Sequence, residues 1–320
     1  MDRTATHPLS RRFAYLLFAL VILSWGLNWT ATKIIVHQVT PLWTTAIRCT
    51  IASAALFLIL LARGQLIIPK RGDLSVVLAI AMLHMVAFST LVALGLKFVP
   101  VGRSIVLGYT TPLWVTPGAW LFLRERPSPR QLAGVALGLV GLALMFNPWA
   151  LDWSDAKALF GNGVILLAAF FWAANILYVR AHQWISTPFQ LIFWQTLLAS
   201  GVLSMLALCV DGAPRIAWSP QLAGAFMFAG LCGTALAYWA MAMVNRSLPA
   251  VTTSLGLLAT PVVGIASSTI GLGETISASL VISMVMILGG IALGTPLPKD
   301  RVFRFRSRLL GILYSRRFKR

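Results

Sequence analysis

Long apolar runs without a charged side chain follow one another along the chain, at 13–32, 74–96, 104–123, 131–151, 158–179, 181–210, 216–245, 247–273 and 275–298. Each holds the roughly 20 residues that a helix needs to cross the hydrocarbon layer of a bilayer. A tenth run, 42–62, is interrupted only by Arg48 near its start. Pro41, Pro69, Pro100, Pro127, Pro129, Pro148, Pro188, Pro220, Pro249 and Pro296 stand at the joints. A residue without an amide donor suits helix starts and turns. The joints are short, so consecutive helices run antiparallel and no soluble domain sits in a loop. The pattern predicts an all-α integral membrane protein of ten transmembrane helices.

Composition agrees: 58% of the 320 residues are hydrophobic and 11% charged, with a mean hydropathy of +0.84. A soluble domain of this size needs far more polar surface. The net charge of +18 raises nucleic-acid binding, but the basic residues stand at the ends of apolar runs instead of on one solvated face, which excludes that class. With a cytoplasmic N-terminus, Arg3, Arg11, Arg12, Arg63, Lys70, Arg71, Arg124, Arg126, Arg130, Arg180, Arg246 and the basic residues of the tail lie inside. Only Lys33, Lys97, Arg103, Lys157 and Arg215 lie outside. Both termini are therefore expected in the cytoplasm, with the protein in the cell (inner or plasma) membrane. The first run is too long for a signal-peptide core and reads as a retained helix. Cys49, Cys209 and Cys232 show no metal-ligand or disulfide spacing. The tail 299–320 either lies on the anionic inner leaflet or serves only to fix topology.

The two halves repeat one another. At an offset of 147, Trp25 matches Trp172, Asn28 matches Asn175, Lys33 matches Arg180, and Thr40-Pro41 matches Thr187-Pro188. At an offset of 149, Pro100 matches Pro249, Thr111-Pro112 matches Thr260-Pro261, Glu125 matches Glu274 and Gly141 matches Gly290. The boundaries follow: a first repeat over 1–150, a second over 151–298, and the basic tail over 299–320. Five helices per repeat is an odd number, so the second copy enters the membrane from the opposite side. Inverted repeats that hold a substrate between them are a recurring transporter design.

Several short segments carry a family likeness. Trp-Gly-Leu-Asn at 25–28 pairs with Trp-Ala-Ala-Asn at 172–175, Thr-Thr-Pro-Leu at 110–113 with Ala-Thr-Pro-Val at 259–262, and Arg-Glu-Arg-Pro at 124–127 with Gly-Glu-Thr-Ile at 273–276. Together with the glycine-rich stretches 134–142 and 289–294, they resemble the drug/metabolite transporter superfamily and its ten-helix EamA-type members over 13–295. That resemblance implies export of amino acids or related metabolites, and includes a branch that exports aromatic amino acids. A phosphorylated cargo is disfavoured, because Arg48 is the only Lys or Arg well inside a span.

Polar groups retained in hydrocarbon face a cavity or a partner helix. The expected substrate-binding set is Trp25, Asn28, His84, Tyr109, Thr111, Trp172, Asn175, Gln195, Tyr238 and Trp239, with Ser89 a further polar candidate. Asn28 and Asn175 either hydrogen-bond the substrate or tie helices together. Trp25 and Trp172 are read equally as cavity walls or as packing. His84, with Gly233 at its repeat position, either binds substrate or a proton or sits neutral and satisfied. Arg48, aligned with Gln195, is expected to snorkel to the outer interface, with carboxylate binding as the second reading. Pro112 and Pro261 are expected to kink helices 4 and 9 and to act as hinges for alternating access.

All eight acidic residues fall in loops, tails or helix ends, which leaves no buried carboxylate for an ion relay. No nucleophile, metal cluster or acid–base pair stands out, so an enzyme is not expected and no cofactor or metal is invoked. The sequence thus reads as an exporter of small organic metabolites, chiefly aromatic or other neutral amino acids, working by facilitated or weakly proton-coupled alternating access. A channel or a lipid or drug translocator of the same fold remains open. The expected partners are a small-molecule substrate and the bilayer, with a monomer as the assembly.

Overall fold

The structure is a computed structural model that describes residues 10–124, 126–145, 155–248, 253 and 256–295. The tail 299–320, Glu125 and Pro249 lie outside those residues. The described residues form helices and turns without a strand, grouped as ten helices α1–α10. They are α1 (Arg11–Val36), α2 (Pro41–Ala62), α3 (Leu74–Ala79, Ile80–Phe88 and Ser89–Gly95), α4 (Val101–Gly108 and Thr111–Leu123) and α5 (Pro129–Met145). The second half supplies α6 (Ala156–Ala181), α7 (Pro188–Val210), α8 (Pro220–Met227, Phe228–Leu236 and Ala237–Ser247), α9 (described over Ala259–Leu272) and α10 (Ala278–Gly294).

Six of these, α1, α2, α3, α6, α7 and α8, are long and apolar enough to cross a membrane by length and composition; the others are shorter or interrupted. Local chemistry sets the ends. Pro41, Pro188 and Pro220 sit in the first turns of α2, α7 and α8, where the missing amide costs nothing. Thr187 and Gln190 form a capping box on α7, and Ser219 and Ser277 accept the amides of Leu222 and Leu280, closing donors that a helix start leaves open. α4 and α9 both end on a left-handed residue, Arg124 at φ 54° and Gly273 at φ 68°. These two positions are repeat mates, so the duplication holds an arginine where glycine is the unstrained choice.

Helix pairing follows a two-fold exchange of the halves. α1 packs on α8 and α9, as α6 packs on α3 and α4; α2 packs on α7 and α5 on α10. Exchanging α1 with α6, α3 with α8 and α4 with α9 leaves this pattern unchanged. The relation reaches single contacts. A side chain at Gly290 would meet the carbonyl oxygen of Gly134, and one at Gly141 would meet that of Ser283 at 3.0 Å. These two contacts map onto each other at the offset of 149. α5 and α10 therefore touch backbone to backbone, the close approach that small residues permit between membrane helices.

The inner stretches of α3 and α8 are wound as π-helix, over Ile80–Phe88 and Phe228–Leu236. The Thr234 hydroxyl donates to the carbonyl of Ala229 at 2.9 Å, five residues back, which matches the wider turn. Such segments concentrate at functional positions. α4 is interrupted at Tyr109 and Thr110, so Pro112 begins a second helical segment instead of bending a continuous one.

Candidate functional site

A cavity of about 400 Å³ lies between the halves, walled by α1, α2, α3, α6, α7 and α8, with Tyr109 added from α4. Its size is that of a small-molecule site. Eight of the ten expected residues line it: Trp25, Asn28, His84, Tyr109, Trp172, Asn175, Gln195 and Tyr238.

The aromatic members form a continuous arc. Trp25 meets Tyr238 edge-on at 6.0 Å, Tyr238 meets His84 at 5.6 Å, and His84 stacks on Trp172 at 6.0 Å with the planes 5° apart. Phe88 tilts against Trp172 at 5.0 Å, and Tyr109 closes the arc edge-on to Trp172 at 6.3 Å. Edge and stacked contacts of this kind fix ring orientation. The arc gives the cavity a rigid apolar surface.

The polar members interrupt that surface. The Oδ1 atoms of Asn28 and Asn175 are buried and accept no hydrogen bond. Asn28 fits because its repeat-crossing neighbour is Gly233, whose bare Cα lies against the amide; a methyl group there would strike Asn28 Oδ1. Among the described residues, no Asp or Glu lines the cavity.

Two expected residues lie elsewhere. Thr111 is buried beside the break in α4, where its hydroxyl donates to the carbonyls of Gly108 at 2.8 Å and Ala169 at 3.4 Å. It serves backbone groups near the interruption instead of the cavity. Trp239 follows Tyr238 by one residue, about 100° further round the helix. It packs in the apolar cluster between α1 and α8, with the guanidinium of Arg63 5.4 Å from its ring.

Arg48 corrects the snorkelling expectation. It lines the cavity, and its Nε is buried without a hydrogen-bond partner. α8 packs tightly here: a side chain at Gly230 would come within 3.3 Å of the Arg48 carbonyl oxygen. Trp29, Phe88, Trp184 and Phe189 also line the cavity. In sequence they carry no signal separating a wall from ordinary packing.

The cavity is asymmetric along its length. One end stops at Thr32 and Val92, both buried, whereas the other reaches half-buried Trp184 and exposed Pro188 in the α6–α7 connection. That connection is held by Asp73, which is fully buried where the sequence predicts no buried carboxylate. It lies outside the cavity wall and accepts the amides of Ile185 at 3.1 Å and Ser186 at 2.9 Å, with His182 Nε2 at 3.4 Å. At the far end the Lys33 ammonium donates to the carbonyls of Leu96 and Val99, at 2.5 and 3.0 Å. This interfacial cation is thereby committed to closing the C-terminus of α3.

Comparison with known proteins agrees with this architecture. The chain is 26% identical over 276 residues to "Uncharacterized transporter YoaV" of Bacillus subtilis, covering 86% of this chain and 94% of that protein. It is 27% identical over 313 residues to a Salmonella typhimurium protein named "Probable amino-acid metabolite efflux pump", covering 94% and 98%. A solved crystal structure at 20% identity superposes with a TM-score of 0.61, covers 89% of this chain and 97% of its own, and shares the fold. The profile described as "EamA-like transporter family" matches twice, at residues 12–147 and 159–295. The chain is a multi-pass membrane transporter and belongs to the EamA-like transporter family.

Proposed function

We propose that this transporter exports amino acids, aromatic or otherwise neutral, from the cytoplasm by alternating access. The observation that carries the reading is the cavity itself: a ring arc from Trp25 through His84 to Tyr109, broken by the repeat-related amides of Asn28 and Asn175. It offers a flat apolar side chain a stacking surface and a polar head its hydrogen bonds. The relative named as an amino-acid metabolite efflux pump supports the same class.

The repeats 1–150 and 151–298 are the bodies that rock, with Pro112 and Pro261 as hinges. Both termini face the cytoplasm, so the mouth at Trp184 faces the cytoplasm too. That no Asp or Glu among the described residues lines the cavity fits facilitated transport.

The test is uptake and counterflow in proteoliposomes across the twenty amino acids and common metabolites. Saturable counterflow of aromatic or other neutral amino acids is the expected result. Flux that does not saturate indicates a channel and overturns alternating access. Accessibility labelling checks orientation: Lys157 and Arg71 are expected on opposite faces, and finding them on one face removes the inverted arrangement.

A further inference from the structure

We propose that Arg48 is the carboxylate anchor of the cavity, so that the cargo must carry a carboxylate on its aromatic or apolar body. The inference rests on the export reading above and names the residue that holds the carboxylate of its cargo.

A guanidinium in the wall of a membrane cavity is costly unless something pairs with it. Its buried Nε has no hydrogen-bond partner, its contact with Cys49 is to a weak, uncharged sulfur acceptor, and no Asp or Glu among the described residues lines the space around it. Arginine presents a planar fork of donors that matches a carboxylate in two parallel hydrogen bonds. The cargo is then the missing partner.

The repeat sharpens the argument. Trp25 and Trp172 are mates, as are Asn28 and Asn175, so the aromatic and amide features are doubled. The mate of Arg48 is Gln195, which also lines the cavity and is neutral. The arginine charge therefore marks one side of a wall whose tryptophans and amides are paired, and gives the cargo a direction. The unpartnered Oδ1 atoms of Asn28 and Asn175 are acceptors. They suit the donors of an ammonium group, the second polar end of an amino acid.

The experiment uses the full chain in proteoliposomes loaded for phenylalanine counterflow, with phenethylamine and 3-phenylpropionate as competitors. These share the ring but lack the carboxylate or the ammonium respectively. In the wild type, phenylalanine is expected to compete about tenfold or more better than phenethylamine, the scale of a charged hydrogen-bond pair. Arg48→Gln, which copies Gln195 into its mate, is expected to collapse that ratio toward one, and Arg48→Lys to keep part of it. A folding defect lowers transport of every compound and leaves the ratio intact, so the ratio isolates the anchor. If phenylalanine is carried but phenethylamine competes equally, or if Arg48→Gln leaves the ratio unchanged, the anchor is overturned and the export reading stands. If no aromatic or other neutral amino acid is carried while other metabolites are, the export reading falls and the anchor falls with it.

Discussion

The Tyr238 hydroxyl lies 2.9 Å from Nε2 of His84, a hydrogen bond that joins α8 of one half to α3 of the other across the cavity wall. Removing it with Tyr238→Phe keeps the ring against Trp25 and takes away one net hydrogen bond. Such a bond is worth about 1 kcal/mol, so KM is expected to rise about three- to tenfold. His84→Gln is expected to leave gradient-driven transport measurable. An imposed pH gradient that still drives uphill accumulation in this variant would show a proton path outside the histidine.

Asn28→Ala and Asn175→Ala distinguish substrate binding from helix tethering. Their side-chain oxygens accept no bond from the protein, so melting temperature in detergent is expected to stay near that of the wild type. KM for the cargo is expected to rise about tenfold in each. A large fall in melting temperature with unchanged KM would assign both residues to packing.

Gly233→Ala places a methyl group against the Asn28 amide. It is expected to lower transport several-fold while the protein still reaches the membrane. Gly163 has open space around the same addition, and Gly163→Ala serves as the control, with activity unchanged and helix stability slightly raised.

Gly290→Val tests the backbone contact between α5 and α10. The added atoms meet the Gly134 carbonyl, which cannot rotate away as a side chain would. Overpacking of this kind costs about 1–3 kcal/mol, and a reduced melting temperature is the expected readout.

Pro112→Ala and Pro261→Ala are expected to slow turnover without weakening substrate binding, because the hinge positions lie outside the cavity wall. Equal turnover in the double variant would reject the hinge.

The helices and the duplication are legible in the sequence because bilayer thickness imposes a run length and proline marks the joints. Apolar content alone does not show where a run breaks. Residues 104–123 read as one helix, whereas α4 divides at Tyr109 and Thr110. The π-wound stretches of α3 and α8 escape notice for the same reason. Eight site residues were legible as polar or aromatic exceptions in apolar runs. Trp184 and Phe189 were not, because wall-forming and packing aromatics look identical in one dimension. Arg48 misled through its position: side chains lean toward the helix N-terminus, here the end expected outside. That α2 packs against α8 at this level, with the cavity beside it, is not visible in the sequence.

The Trp184 mouth has a sequence image at the opposite end, where His37, Pro41 and Leu42 occupy the positions equivalent to Trp184, Pro188 and Phe189 but stay out of the wall. The halves thus share one ancestry and hold two shapes. If each half took the shape of the other, the corridor would seal beside Trp184 and open beside His37. The second pose of the cycle is in this sense already drawn within the first.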